Sequence, residues 1–254
     1  MSKLIKQLGM SLAGIFLATL TALAADYTWT GGGDGVTWES PANWGKSAEG
    51  AYPKSSSDKA IFAANTTATV VLANDLTLSA LNLKDSTTVT LKSAGDERVS
   101  LMLNGAEFAN KALNLTLDHI AVTRLGDYAL TASSAITLKN GAELLIKTLT
   151  AVNNNTLLLS GQSSLRVQDL KMKDGTTVTI DNSTLTTTAN AYLGSAAPGG
   201  GRMVFKGSNP MFQCYGSNCR ADSATTAYAT PFDFDFEIPL GGYKAPPIQT
   251  VDAT

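Results

Sequence analysis

A chain of 254 residues in which only 16% of side chains are charged, at a formal net charge of −2, has no basic block for nucleic acid or for an anionic membrane surface. Sparse Lys and Glu beside abundant Thr and Val argue against a helical protein. One histidine and two cysteines are too few for a zinc site of ordinary ligand spacing, so no metal or cofactor is expected.

The first segment reads as a secretory signal peptide over residues 1–24. Lys3 and Lys6 form a short basic start, and Gly9 to Leu23 carries no charge. Ala22-Leu23-Ala24 then gives the small-x-small order that a signal peptidase reads, so cleavage is expected after Ala24. The apolar run is shorter than the roughly 20 residues needed to span a bilayer. No second spanning run follows, so no transmembrane segment is expected after cleavage. Without Lys3 and Lys6, 17 basic side chains stand against 21 acidic ones.

Residues 25–66 form a segment rich in Trp and Gly. It contains Trp29-Thr-Gly-Gly-Gly-Asp-Gly-Val-Thr-Trp38, followed by Glu-Ser-Pro-Ala-Asn43-Trp44. This resembles the opening of bacterial autotransporter-like surface proteins with β-strand repeats, whose mature chains often begin W-x-G-G-G-D-G-x-x-W-x-x-x-x-N-W. The resemblance covers less than a tenth of the chain. It implies an exported β-helix passenger, displayed on or released from a bacterial surface and usually of unassigned activity. Two uses of Trp29, Trp38 and Trp44 are open at this point. They would cap the first rung of a solenoid, or form an aromatic platform that binds sugar rings.

Residues 67–207 alternate apolar and polar residues in short runs separated by Asn-Gly, Asp-Gly, Asp-Ser and similar pairs. Strands are expected at Thr69–Leu72, Leu76–Leu83, Thr87–Lys92, Val99–Leu103, Leu113–Leu117 and Ile120–Thr123. They continue at Ala135–Leu138, Glu143–Lys147, Thr156–Leu159, Leu165–Val167, Thr176–Ile180 and Met203–Phe205. Four segments, starting at Leu81, Ile136, Leu157 and Leu170, resemble one another as strand–turn–strand units at irregular intervals. Recurrence of one unit predicts an all-β parallel β-helix (β-solenoid) with irregular rungs. A β-sandwich is the alternative, because the same turn pairs also make tight hairpins.

Residues 208–254 hold Cys214 and Cys219, which an exported chain would join in a small disulfide loop. They also hold the alternation Phe232-Asp-Phe-Asp-Phe-Glu-Ile238, read as an amphipathic edge strand and not a calcium site. Nothing after it reads as the C-terminal membrane barrel of a full autotransporter, so release, retention by a partner, or a shortened relative is expected.

No catalytic residue is assigned. Asp118 and His119 adjoin, which on a strand would turn them to opposite faces. The acids Asp118, Asp127, Glu143, Asp169, Asp174 and Asp181 are scattered, mostly at turns. The expectation is an exported bacterial surface-associated or secreted protein, extracellular, at the cell surface or periplasmic, with a structural, adhesive or binding role. Surface glycans or other envelope proteins are its expected partners. A carbohydrate-active β-helix enzyme or a sugar-binding module is the alternative.

Overall fold

Short runs of alternating Val, Leu, Ile and Thr bury every second side chain, so each run can be stable only against a neighbouring run on the same face. A computed structural model shows how these runs are stacked; it describes residues 24–45, 51–104, 112–130, 133–151, 154–172, 175–193, 202–215, 218–220, 233–237 and 249–250. Almost all of the expected signal peptide, Asp174 and the glycines at 199–201 lie outside the described residues.

The first strands are β1 (Asp26–Trp29), β2 (Trp44–Gly45), β3 (Lys59–Phe62), β4 (Thr67–Leu72), β5 (Leu76–Leu78), β6 (Ala80–Leu83) and β7 (Thr87–Ser93). Next come β8 (Val99–Leu103), β9 (Leu113–Asp118), β10 (Ile120–Leu130), β11 (Ala135–Lys139), β12 (Glu143–Ala151), β13 (Thr156–Leu159) and β14 (Ser164–Met172). The series closes with β15 (Thr177–Asp181), β16 (Thr184–Leu193), β17 (Arg202–Lys206), β18 (Met211–Cys214), β19 (Asn218–Arg220), β20 (Asp233–Glu237) and β21 (Gln249–Thr250). No helix among the described residues is long and apolar enough to cross a membrane.

Strands that follow one another in sequence fall in different sheets. One sheet runs β4-β7-β9-β11-β13-β15-β17-β20, and a second runs β5-β8-β10-β12-β14-β16-β18-β21, with β19 also on β16. A third, at the start, runs β2-β1-β3-β6. Among the described strands only β1 and β2 pair antiparallel. The chain is therefore a parallel β-solenoid of about six turns, as the recurrence predicted. Hairpins of a sandwich would have put consecutive strands side by side. Here the turn pairs make corners instead. Asn140 and Gly141 both take positive φ, 55° and 75°, and carry the chain from the first sheet into the second.

Register reveals a regular coil that the sequence disguises. Asn114, Ala135, Thr156 and Thr177 stack on one another at intervals of 21 residues, whereas Thr88 to Asn114 and Thr177 to Arg202 are longer steps. The four similar segments also belong to two phases. Those starting at Ile136 and Leu157 stack directly, Ile136 on Leu157 and Ile146 on Val167. Those starting at Leu81 and Leu170 instead run around another corner, into β7 and β15 of the first sheet. Their irregular spacing is a difference of phase.

Strands β10 and β14 bend at register shifts, between Arg124 and Asp127 and between Val167 and Asp169. Each long strand of this set, β10, β12, β14 and β16, thus serves two faces of its coil. Inside, side chains stack in ladders such as Leu138–Leu159–Ile180–Phe205 and Val122–Leu144–Leu165–Leu185–Phe212, all buried. Each such side chain contributes about 1.5–3 kcal/mol on burial, and only with a neighbouring coil in place. One ladder holds a cation: Arg124 lies between Leu103 and Ile146 and places its guanidinium 5.1 Å from the centre of the Tyr128 ring. Burial pushes the Tyr128 hydroxyl well above the usual phenol range, so that ring stays neutral.

Candidate functional site

Among the described residues, polar side chains gather at the N-terminal cap, at the corner between the first two sheets and along an open furrow on the outer surface.

The cap is built by the Trp/Gly motif. Gly31 and Gly35 adopt positive φ, 64° and 69°, so that the chain can reverse tightly. The buried Asn43 side chain fills the reversal. Its oxygen accepts from the Gly33 and Gly35 N–H groups at 2.9 Å each, and its amide donates to Asp34 at 2.6 Å and to the Thr37 carbonyl at 2.8 Å. Asp34 also accepts from the Val36 and Thr37 N–H groups and the Thr37 hydroxyl. The Thr37 hydroxyl, Asn43 and these backbone donors hold the Asp34 carboxyl well below the usual carboxylate range. The loop then lies along β4, with Trp38 N–H donating to the Val71 carbonyl and Val71 N–H donating to the Val36 carbonyl. It thereby covers the outer edge of the first sheet.

The structure brings Trp29, Trp38 and Trp44 together, but inward. They are 6%, 0% and 5% exposed, and the Trp29 and Trp44 rings pack against Phe62. Trp38 Nε1 donates to the Pro53 carbonyl and Trp44 Nε1 to the Trp38 carbonyl. Their faces are taken up by the core, so the aromatic platform for sugar is corrected to a cap.

The corner between the first and second sheets stacks His119, Asn140 and Asn182, each with positive φ. His119 is therefore a turn residue and not part of a strand. Its Nδ1 meets the Asn140 carbonyl at 2.9 Å and its Nε2 the Asp96 carbonyl at 2.8 Å. Asp118 accepts from Asn140 Nδ2 at 2.7 Å and pairs with Lys139 at 3.3 Å. Asn182 accepts from the Ser208 and Asn209 N–H groups. These polar groups tie coil to coil.

The acids named from the sequence are spread over the molecule. Asp118 and Asp181 lie at this corner, Glu143 begins β12, and Asp127 and Asp169 lie past the bends of β10 and β14. Among the described residues no three metal-ligating side chains cluster. The Phe/Asp alternation supplies β20, the last described strand of the first sheet, paired to β17; its side chains lie outside the described residues. Cys214 is buried and stacks on Thr187, and the Cys219 backbone pairs with Ala191 on the same strand β16. The Cys219 side chain is outside the described residues, so the disulfide stays an expectation.

The furrow follows the bend of the long strands. Outward-facing Leu145, Arg166, Thr186 and Gln213 are stacked on β12, β14, β16 and β18. Two residues further on in each coil, at the bend, come Lys147, Gln168, Thr188 and Tyr215. Between the two rows lie open cavities of about 500 and 460 Å³, which share Arg166 and Thr188. Sequence reading missed the furrow. Its signal is a set of i, i+2 pairs in successive coils, visible only once the register is known.

Comparison of the chain with protein-family models, curated proteins and solved structures finds no match.

Proposed function

We propose that this chain is an exported bacterial β-solenoid, surface-associated or secreted, with a structural, adhesive or binding role and no catalytic one. The signal peptide motif supports export, and the Trp29–Trp44 motif supports a bacterial surface. The observation that carries the non-catalytic reading is the use made of the carboxylates. Asp34 and Asp118 are tied into turns and Glu143 is paired with Arg98 at 2.8 Å, while the open furrow is lined by no carboxylate. Hydrolysis of a glycosidic bond by the usual route uses two carboxylates facing one groove.

The test is to express the full chain with its own leader in a Gram-negative host, then fractionate and sequence the N-terminus. A mature chain beginning at Ala25 outside the inner membrane is expected, as is co-sedimentation of the purified protein with cell envelopes. Retention in the cytoplasm with Met1 in place would end the export reading. Release of new reducing or unsaturated ends from polysaccharides would overturn the non-catalytic one.

A further inference from the structure

We propose that the furrow along β12, β14, β16 and β18 binds a linear, carboxylate-bearing polysaccharide laid parallel to the solenoid axis. The inference rests on the binding role proposed above and names its ligand.

Charge is the first argument. The chain carries 21 acidic against 19 basic side chains, yet the residues lining the furrow include Arg166 and Lys147 and no acid. Of the neighbouring carboxylates, Glu143 is paired with Arg98; Asp169 accepts from the neutral Asn190 amide and keeps its charge, but it lines neither cavity. Of the three cations in this lining, Arg124 is buried over the Tyr128 ring. Lys147 and Arg166 face outward into a recess without a neutralising partner in its lining, and a recess focuses their field on whatever enters it.

The second argument is the repeat. Adjacent coils are about 4.8 Å apart, and each presents one pair of side chains across the furrow. Arg166 with Gln168 in one coil is followed by Thr186 with Thr188 in the next, then by Gln213 with Tyr215. Such a row suits a polymer with hydroxyls and carboxylates at recurring positions. It does not suit a single small anion, which needs convergent donors in an enclosed site. Leu145 and Tyr215, each 39% exposed, stand at opposite ends and offer apolar surface to the faces of sugar rings. The Gln213 amide oxygen accepts from Thr186 at 3.2 Å, so its NH₂ group remains a donor.

The same geometry disfavours two other polyanions. An acidic peptide binding by strand addition needs an exposed sheet edge. Here β14 and β16 have partners on both sides, so their backbones are already used. An anionic membrane surface needs cations that project together, and these lie in a recess.

Binding of polygalacturonate to the full mature chain, measured by calorimetry at low and at raised salt, tests the proposal. Saturable binding that weakens with salt is expected. In Arg166→Gln/Lys147→Gln it should fall at least about tenfold, the loss expected for charge-assisted contacts. Both residues are exposed, so the variant should melt like the parent protein. Should it misfold, Thr188→Glu, which brings a carboxylate into the furrow, is expected to give the same loss. Arg166→Lys should retain most of the binding. No binding to polygalacturonate, equal binding by the variants, or preference for polyglutamate or phosphatidylglycerol vesicles would overturn the inference. Envelope co-sedimentation that persists unchanged in the double variant overturns the furrow's role but leaves the surface reading standing. Absence of envelope co-sedimentation in the parent protein defeats that reading itself.

Discussion

Asn43 donates to Asp34 at 2.6 Å across a loop whose glycine N–H groups its own side-chain oxygen caps. One buried amide thus completes a turn whose carboxylate and glycines would otherwise splay apart. Asn43→Ala removes hydrogen bonds whose partners, Gly33, Asp34, Gly35 and Thr37, are exposed or half-buried, each worth about 0.5–1.5 kcal/mol net. We expect a loss of about 3 kcal/mol overall, read as a lower midpoint in chemical denaturation. The red shift of tryptophan emission should begin early, because Trp29, Trp38 and Trp44 all lie under this loop. A variant as stable as the parent would show that the Asn43 network is dispensable.

The single histidine supplies a pH dependence. Neutral imidazole has one N–H, but His119 faces two carbonyl acceptors, Asp96 and Asn140. Those two carbonyls raise its pKa above the usual histidine value. A raised folded pKa stabilises the protein fully below the unfolded value, near 6.5. That contribution is then lost as pH rises through the folded value. The melting temperature of the parent protein should exceed that of His119→Gln most at about pH 5 and converge with it by about pH 9. A gap that widens toward alkaline pH would contradict the two-acceptor geometry.

Corner glycines give a third expectation. Gly161 has φ of +61°, and a Cβ there would stand 2.9 Å from the Asn140 backbone nitrogen of the adjacent coil. Backbone cannot swing aside as a side chain can. Gly161→Ala should cost more than the roughly 1–2 kcal/mol of left-handed strain alone. Gly95→Ala, where a Cβ meets nothing within 4 Å, serves as the control. Equal melting temperatures for the two variants would refute the close approach.

Cys214 and Cys219 stack on Thr187 and Ala191, two positions of β16 on either side of its bend. We expect them to be joined in the exported protein. The intact mass should be two hydrogens below the reduced value, and the folded protein should show no reactive thiol. Two titratable thiols in protein purified from an oxidising compartment would exclude the bridge. Because the closed loop is short, reduction should lower stability only modestly.

Most strands were legible because period-two alternation survives in them, from Val70 and Leu72 to Met203 and Phe205. However, β16 and β18 were not expected, and the single strand expected over Leu76–Leu83 is two, β5 and β6, in different sheets. Much less visible were the strand segments past the bends, such as Leu149 and Ala151 or Leu170 and Met172. They turn the corner at Lys147 or Gln168, residues with no turn signature. The coil length was hidden because the similar segments mix two phases. Arg124 could not be placed from the sequence, since nothing local marks a cation as facing inward. The cap motif was legible as a pattern, yet whether its indoles served sugar or core was decided only by their burial. Furrow residues carry no motif, because their proximity comes wholly from stacking.

The direction of the hydrogen bonds between coils has a mechanical consequence. Strand-to-strand bonds lie in the plane of each sheet and across its strands, hence along the long axis of the solenoid. A pull on the two ends would put the full force on every coil junction in series, so the weakest junction gives first. A sideways drag on the furrow would be shared by many junctions at once. A molecule of this build, held along its flank, resists flow far better than one tethered by its tips.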